Sequence, residues 1–142
     1  MASIHYTIEY DPHGSSKVLF YSSFLFFVAS IVSFTFQDVL SGWFFLALFM
    51  TSINHWRSPT YGVSRLIDIA CCMMMSVYMY LIFLVNYGSF HVIFFEVLFT
   101  IILLVFLVEW VLYLMDHPFW IVFHLIIHTY SAYFLLVGLY LL

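Results

Sequence analysis

Two histidines one helical turn apart lie inside a long apolar segment near the end of the chain. His124 and His128 are written HLIIH within a run from Pro118 to Leu142. The i, i+4 spacing places both imidazoles on one face of a helix. Ionisable side chains at membrane depth usually line a site, because charged types cost about 2.5 kcal/mol or more to insert. The pair therefore predicts a metal site on one face of the last helix.

Earlier segments supply the other groups that a catalytic metal site needs. His55 lies near the end of one apolar segment, three residues after Ser52, and Asp68 lies early in the next. Three neutral imidazoles would leave one position of a tetrahedral zinc ion open, as catalytic zinc sites do. The sequence predicts His55, His124 and His128 as zinc ligands, Asp68 as the base that takes a proton from water, and Ser52 as the hydroxyl that orients the water.

Each of these residues also has a structural interpretation. Interhelical hydrogen bonds are a common use of polar side chains in membrane bundles, and they are one alternative for His124 and His128. Ligation of a haem together with a partner is another. His55 also fits an interfacial residue that contacts lipid headgroups. Asp68 follows Arg65 at i, i+3, so a local ion pair is its alternative.

Glu109 and His117 are the remaining polar residues near these candidates. Glu109 lies within VFLVEWVLYL without a basic neighbour. Either it caps the end of its helix or it pairs with a histidine. If Pro118 continues the last helix, His117 points within about 40° of His124 and His128. The sequence then predicts a stripe of three imidazoles.

The composition fixes the class of protein that must hold these side chains. Of 142 residues, 66% are hydrophobic and 7% are charged. A chain of this composition has more apolar surface than a soluble domain can bury. The net charge is −4 and only three residues are Lys or Arg, which excludes a nucleic-acid-binding surface. Cys71 and Cys72 are adjacent and are interpreted as small apolar side chains.

Five apolar segments are each near the length of about 20 residues that crosses a bilayer. Turn-forming residues separate them, and a polar arm at 1–16 precedes them. The sequence predicts an all-α integral membrane bundle of about five transmembrane helices, forming a single domain over 17–142. The predicted segments are 17–36, 39–56, 64–86, 89–114 and 118–142.

The three basic residues predict the orientation. Lys17 precedes the first segment, and Arg57 and Arg65 flank the loop after the second. By the positive-inside rule this side is cytoplasmic, or the matrix of an organelle. The N-terminus and the cluster of histidines and aspartate are predicted to lie on that side.

Three motifs resemble the CREST superfamily of membrane hydrolases, which includes alkaline ceramidases and the progestin and adipoQ receptors. They are TSINHW at 51–56, RLIDI at 65–69 and FHLIIHTYSAYFLL at 123–136. The resemblance implies zinc held by three histidines and hydrolysis of amide bonds in lipids. The family usually has seven helices, whereas five are predicted here. Its serine usually stands four residues before the histidine, a position that Thr51 occupies.

The sequence thus predicts a zinc-dependent intramembrane hydrolase acting on a lipid amide or ester bond. The alternative is a non-catalytic accessory subunit of a larger membrane complex, respiratory or virion, whose polar residues serve subunit contacts. Assembly into an oligomer or larger complex fits both functions. A third class is a proton or ion path that uses Asp68, Glu109 and the histidines as a relay.

Overall fold

The computed structural model describes residues 15–57, 63–86, 89–115 and 117–140. All regular elements in these ranges are helices, which confirms the predicted all-α class. Backbone contacts group the chain into two compact units, Met1–Met73 and Met74–Leu142, and each unit is described by itself. The helices are α1 Ser15–Ser22, α2 Phe24–Thr35, α3 Val39–Trp56, α4 Val63–Asn86, α5 Ser89–Leu114 and α6 Trp120–Tyr140.

Helices α1 and α2 together correspond to the first predicted segment, with a break at Ser23. The hydroxyls of Ser22 and Ser23 both donate to the carbonyl oxygen of Leu19, at 2.9 and 2.8 Å. Serine hydroxyls that bond to a carbonyl one turn earlier in this way often bend helices. The break therefore has a local cause in the Ser-Ser pair.

The turn between α2 and α3 uses a left-handed residue. Gln37 has φ 64°, and its N–H donates to the carbonyl of Phe34. The N–H of Asp38 donates to the carbonyl of Ser33, which completes a Schellman motif. The Asp38 side chain then accepts from the N–H of Ser41 at 3.1 Å and caps α3. This tight turn makes α2 and α3 an antiparallel hairpin.

Small residues let α2 and α3 pack closely in the first unit. Ser30 donates its hydroxyl to the carbonyl oxygen of Gly42 at 2.9 Å. A Cβ atom at Gly42 would lie 2.6 Å from a ring carbon of Phe34, so the aromatic ring occupies the space that glycine leaves. Small residues at helix contacts are typical of membrane bundles. Other buried residues on the two helices are Phe26, Ala29, Ser33, Ser41, Phe45, Leu48 and Ser52.

Helices α5 and α6 pack against each other in the second unit. The turn before α6 closes with i to i+3 bonds, from the N–H of Trp120 to the carbonyl of His117 and from the N–H of Val122 to that of Phe119. The α-helix therefore begins at Trp120, so the condition for a stripe of three imidazoles, a helix that continues from His117 through Pro118, is not met. The tighter winding of this turn removes His117 from the helix that carries the other two histidines.

Three helical stretches in the described residues are long and apolar enough to cross a membrane. They are Ser16–Thr35, Val63–Ile82 and Glu96–Leu114. Many of their large apolar side chains are exposed, such as Val28, Met74 and Leu107. Such faces are consistent with a membrane location. The predicted arm up to residue 14, the loop 58–62, the turn at 87–88 and Asp116 lie outside the described residues.

Candidate functional site

A carboxylate and an imidazole meet between α5 and α6 in the second unit. Oε1 of Glu109 lies 3.2 Å from Nδ1 of His124. The Glu109 residue is only 3% exposed. Of the two sequence-based alternatives for Glu109, pairing with a histidine is therefore confirmed. A buried carboxylate needs such a partner because its desolvation is costly.

His128 lies beside His124 on the same face of α6. Their ring centroids are 4.8 Å apart, and His128 is buried. The i, i+4 spacing within a continuous helix produces this arrangement, as the sequence predicts. The second unit therefore holds a largely buried cluster of one carboxylate and two imidazoles, here called the Glu-His-His cluster: Glu109, His124 and His128.

Two aromatic side chains lie between the Glu-His-His cluster and the turned end of the α5–α6 hairpin. The rings of Tyr113 and Trp120 meet edge to face at 5.5 Å, and the Trp120 ring is 6.3 Å from that of His124. A helix rises about 1.5 Å per residue, so His124 lies about 6 Å and His128 about 12 Å along the axis from Trp120. The cluster thus begins one turn inside the end of the hairpin.

A second polar contact joins α3 and α4 in the first unit. The hydroxyl of Thr51 donates to Oδ1 of Asp68 at 2.8 Å, and Asp68 is buried. Ser52 and His55 are also buried on α3, at 2% and 1% exposure. Three of the predicted site residues, Ser52, His55 and Asp68, therefore lie buried in the same unit.

The hydroxyl that contacts Asp68 comes from Thr51, one residue before the serine named from the sequence. Neighbouring helix positions point about 100° apart, so one residue decides which hydroxyl reaches α4. The sequence did contain a sign that Thr51 could be the contacting hydroxyl. Thr51 precedes His55 by four residues and therefore shares its helix face. The role of Ser52 in orienting water stays a prediction.

The predicted zinc ligands are divided between the two units. His55 belongs to the first unit, and His124 and His128 belong to the second. Among the described residues, no three His, Cys, Asp or Glu side chains are grouped so that they could hold a metal ion. Within the second unit, the structure brings together two adjacent imidazoles and one carboxylate.

Comparisons with protein families, with curated proteins and with solved structures give no match for this chain. The resemblance to the CREST superfamily therefore depends on its three sequence motifs.

Proposed function

We propose that the chain is a multi-pass membrane protein that acts as a zinc-dependent intramembrane hydrolase. The observation that carries the proposal is the buried Glu-His-His cluster within apolar helices. Ionisable groups at such positions are expensive and usually functional. With α1 and α2 counted together, the described residues form five helical segments, and three stretches among them are long and apolar enough to span, which supports a multi-pass protein.

In this proposal three histidines hold the zinc ion. His124 and His128 are two of the ligands, on one face of α6, and His55 is the third ligand that the sequence predicts. Bound zinc would lower the pKa of a coordinated water molecule to near neutral and polarise a carbonyl group. Neutral imidazoles are the form that can act as ligands. His128 and His55 are both buried.

The protein side chains would handle protons and orientation. Asp68 is the base, held in place by the hydroxyl of Thr51 at 2.8 Å. Ser52 orients the attacking water or the substrate carbonyl oxygen. Glu109 supports His124 at 3.2 Å. Asp68, Ser52 and Glu109 are each buried, so little bulk water competes at their contacts.

The substrate class follows from the surroundings of these side chains. Each of them lies on an apolar helix, so the proposed substrate shares the hydrocarbon phase, as a lipid with an amide or ester bond does. Tyr113 and Trp120 lie one turn from the Glu-His-His cluster, and aromatic side chains typically mark the level of the headgroups. A bond near the headgroup end of a lipid would lie at the level of His124. Membrane lipids are therefore the proposed partners.

Metal analysis of the purified protein tests this function. We expect about one zinc ion per chain in detergent-purified wild type and a loss of at least tenfold in the double variant His124→Ala with His128→Ala. His117→Ala is the matched control, because His117 is exposed and lies outside α6. Wild type without zinc, or a double variant that keeps it, would contradict the proposal.

A hydrolysis assay completes the test. Release of fatty acid from a labelled ceramide and from a phospholipid in the same micelles would distinguish amide from ester cleavage. Asp68→Asn should lower the rate at least 100-fold while zinc content stays near that of wild type, because it removes the base and leaves the ligands. Equal rates in wild type and Asp68→Asn would contradict the role of Asp68.

A second function is supported by a different observation. The contacts of Ser30 with Gly42 and of Thr51 with Asp68 join neighbouring helices, and large apolar faces are left exposed. A non-catalytic subunit of a larger membrane complex would use its polar and apolar residues in this way. Recovery of stoichiometric partners after mild solubilisation, together with absence of zinc, would favour the subunit over the hydrolase.

A further inference from the structure

Glu109 is a buried acid outside the three motifs that predict the catalytic residues. It lies on α5, and its Oε1 atom is 3.2 Å from Nδ1 of His124 on α6. We propose that Glu109 is a positioning residue that holds His124 in the tautomer with the proton on Nδ1. The lone pair of Nε2 is then presented for metal binding. This inference rests on the proposed function, because zinc is the ligand that the lone pair receives.

The chemistry of the two side chains gives the direction of the hydrogen bond. A carboxylate only accepts hydrogen bonds, so the proposed contact has Nδ1 of His124 as the donor and Oε1 of Glu109 as the acceptor. In a neutral imidazole the other nitrogen, Nε2, then carries the lone pair. Histidines that bind metals usually donate their second N–H to a carboxylate or carbonyl oxygen, which fixes both tautomer and ring orientation.

The surroundings of Glu109 and His124 make their contact effective. Glu109 is 3% exposed, so little water competes for its oxygen atoms. His124 is bounded on one side by His128, at 4.8 Å between ring centroids, and on the other by Trp120, at 6.3 Å. Removal of the carboxylate would take away the acceptor at Nδ1 that favours one tautomer and one orientation of the His124 ring. Its Nε2 atom would then be a poorer ligand.

The tautomer can be measured directly and without metal. In protein labelled with ¹⁵N at histidine and purified in micelles, we expect the His124 signals of an imidazole protonated at Nδ1, assigned by their loss in His124→Ala. Glu109→Leu should shift them toward the Nε2-protonated form or a mixture. Glu109→Gln, which keeps an accepting oxygen, should retain most of the wild-type state. A His124 protonated at Nε2 in wild type would overturn the proposal, even if the variants fail to fold.

Cobalt binding then tests the consequence for the metal. Titration with Co²⁺, followed by visible absorption, should show binding weakened 10- to 100-fold in Glu109→Leu and largely restored in Glu109→Gln. Glu96→Leu is the matched control, because Glu96 is an exposed acid on the same helix. Unchanged affinity in Glu109→Leu would overturn the positioning role.

The two measurements separate the inference from the function on which it rests. Wild type that binds neither Co²⁺ nor Zn²⁺ contradicts the proposed hydrolase, and the positioning of a metal ligand falls with it. If the wild type binds metal and Glu109→Leu changes neither the tautomer of His124 nor the metal affinity, only the role of Glu109 is contradicted.

Discussion

Asp68 and Glu109 are acids buried within apolar helices, and each contacts a side chain of a neighbouring helix. Thr51 donates to Asp68, and His124 contacts Glu109. Burying a carboxylate without hydrogen bonds costs roughly several kcal/mol. These contacts therefore stabilise the helix pairs, in addition to any catalytic role. Substitutions at the partners should therefore affect stability, and the choice of variant must separate stability from function.

Thr51→Val removes a hydroxyl while keeping the shape of the side chain. We expect the free energy of unfolding in detergent to fall by about 1–3 kcal/mol, because Asp68 loses this donor. Thermal or denaturant unfolding measures the change. Thr129→Val is the control, because the Thr129 hydroxyl is exposed and bonds to the carbonyl of Leu125 in its own helix. An effect at Thr51 no larger than at Thr129 would show that the contact with Asp68 adds nothing.

Residue types and spacing could predict the faces but not the partners. The shared face of His124 and His128 follows from the i, i+4 spacing and is confirmed. The pairing of Glu109 with a histidine was one of two alternatives, because it depends on how α5 is rotated against α6. The choice of Thr51 over Ser52 for Asp68 depends on a rotation of the same kind. A single sequence shows which residues share a face of one helix. It does not show how a neighbouring helix is rotated about its own axis, and so which residues that helix presents to the first.

Helix limits follow closely from the apolar segments. The second segment, 39–56, matches α3, because Asp38 caps its start. The first and last segments differ from the structure for local reasons. Two serines interrupt the helix at Ser23, and a tight turn delays α6 to Trp120. Hydropathy alone does not detect the break at Ser23 or the later start of α6. The residues near Ser23, for example, are all compatible with a continuous span.

The close approach of α2 to α3 makes a prediction at this scale. Gly42→Val should lower the free energy of unfolding by about 1–3 kcal/mol, because the added methyl groups overlap the Phe34 ring that lies 2.6 Å from a Cβ position. Phe34→Ala in the same chain should recover part of the loss. Ala47→Val, at an exposed position of α3, serves as the control and should change stability by less than about 0.5 kcal/mol. Equal effects at positions 42 and 47 would contradict the close packing.

At the scale of the whole molecule, the proposed topology has five crossings, with the N-terminus on the cytoplasmic or matrix side. Three stretches meet the length and apolarity of a span among the described residues. The number of crossings depends on helix α3. Its polar end, with Asn54, His55 and Trp56, fits either a full crossing or a segment that enters the bilayer and returns to the same side. If α3 crosses, the turns at Gln37 and His117 lie on opposite sides. If α3 only dips into the bilayer, they lie on the same side.

Cysteine labelling in sealed vesicles distinguishes the two topologies. In a background with Cys71→Ser and Cys72→Ser, we expect a membrane-impermeant maleimide to label Gln37→Cys and His117→Cys from opposite sides. Labelling after detergent lysis is the control for reactivity at each position. Labelling of both positions from one side would remove one crossing from the proposed bundle.

The ring of Trp120, 6.3 Å from that of His124, has a practical consequence for following the site in solution. Indole fluorescence is quenched by transition-metal ions bound within a few ångströms. The emission intensity of Trp120 should therefore decrease when Co²⁺ binds at the Glu-His-His cluster. Replacing the other three tryptophans with phenylalanine would leave one intrinsic optical reporter. Those residues are Trp43, Trp56 and Trp110. Occupancy could then be read in a lipid nanodisc without any added dye.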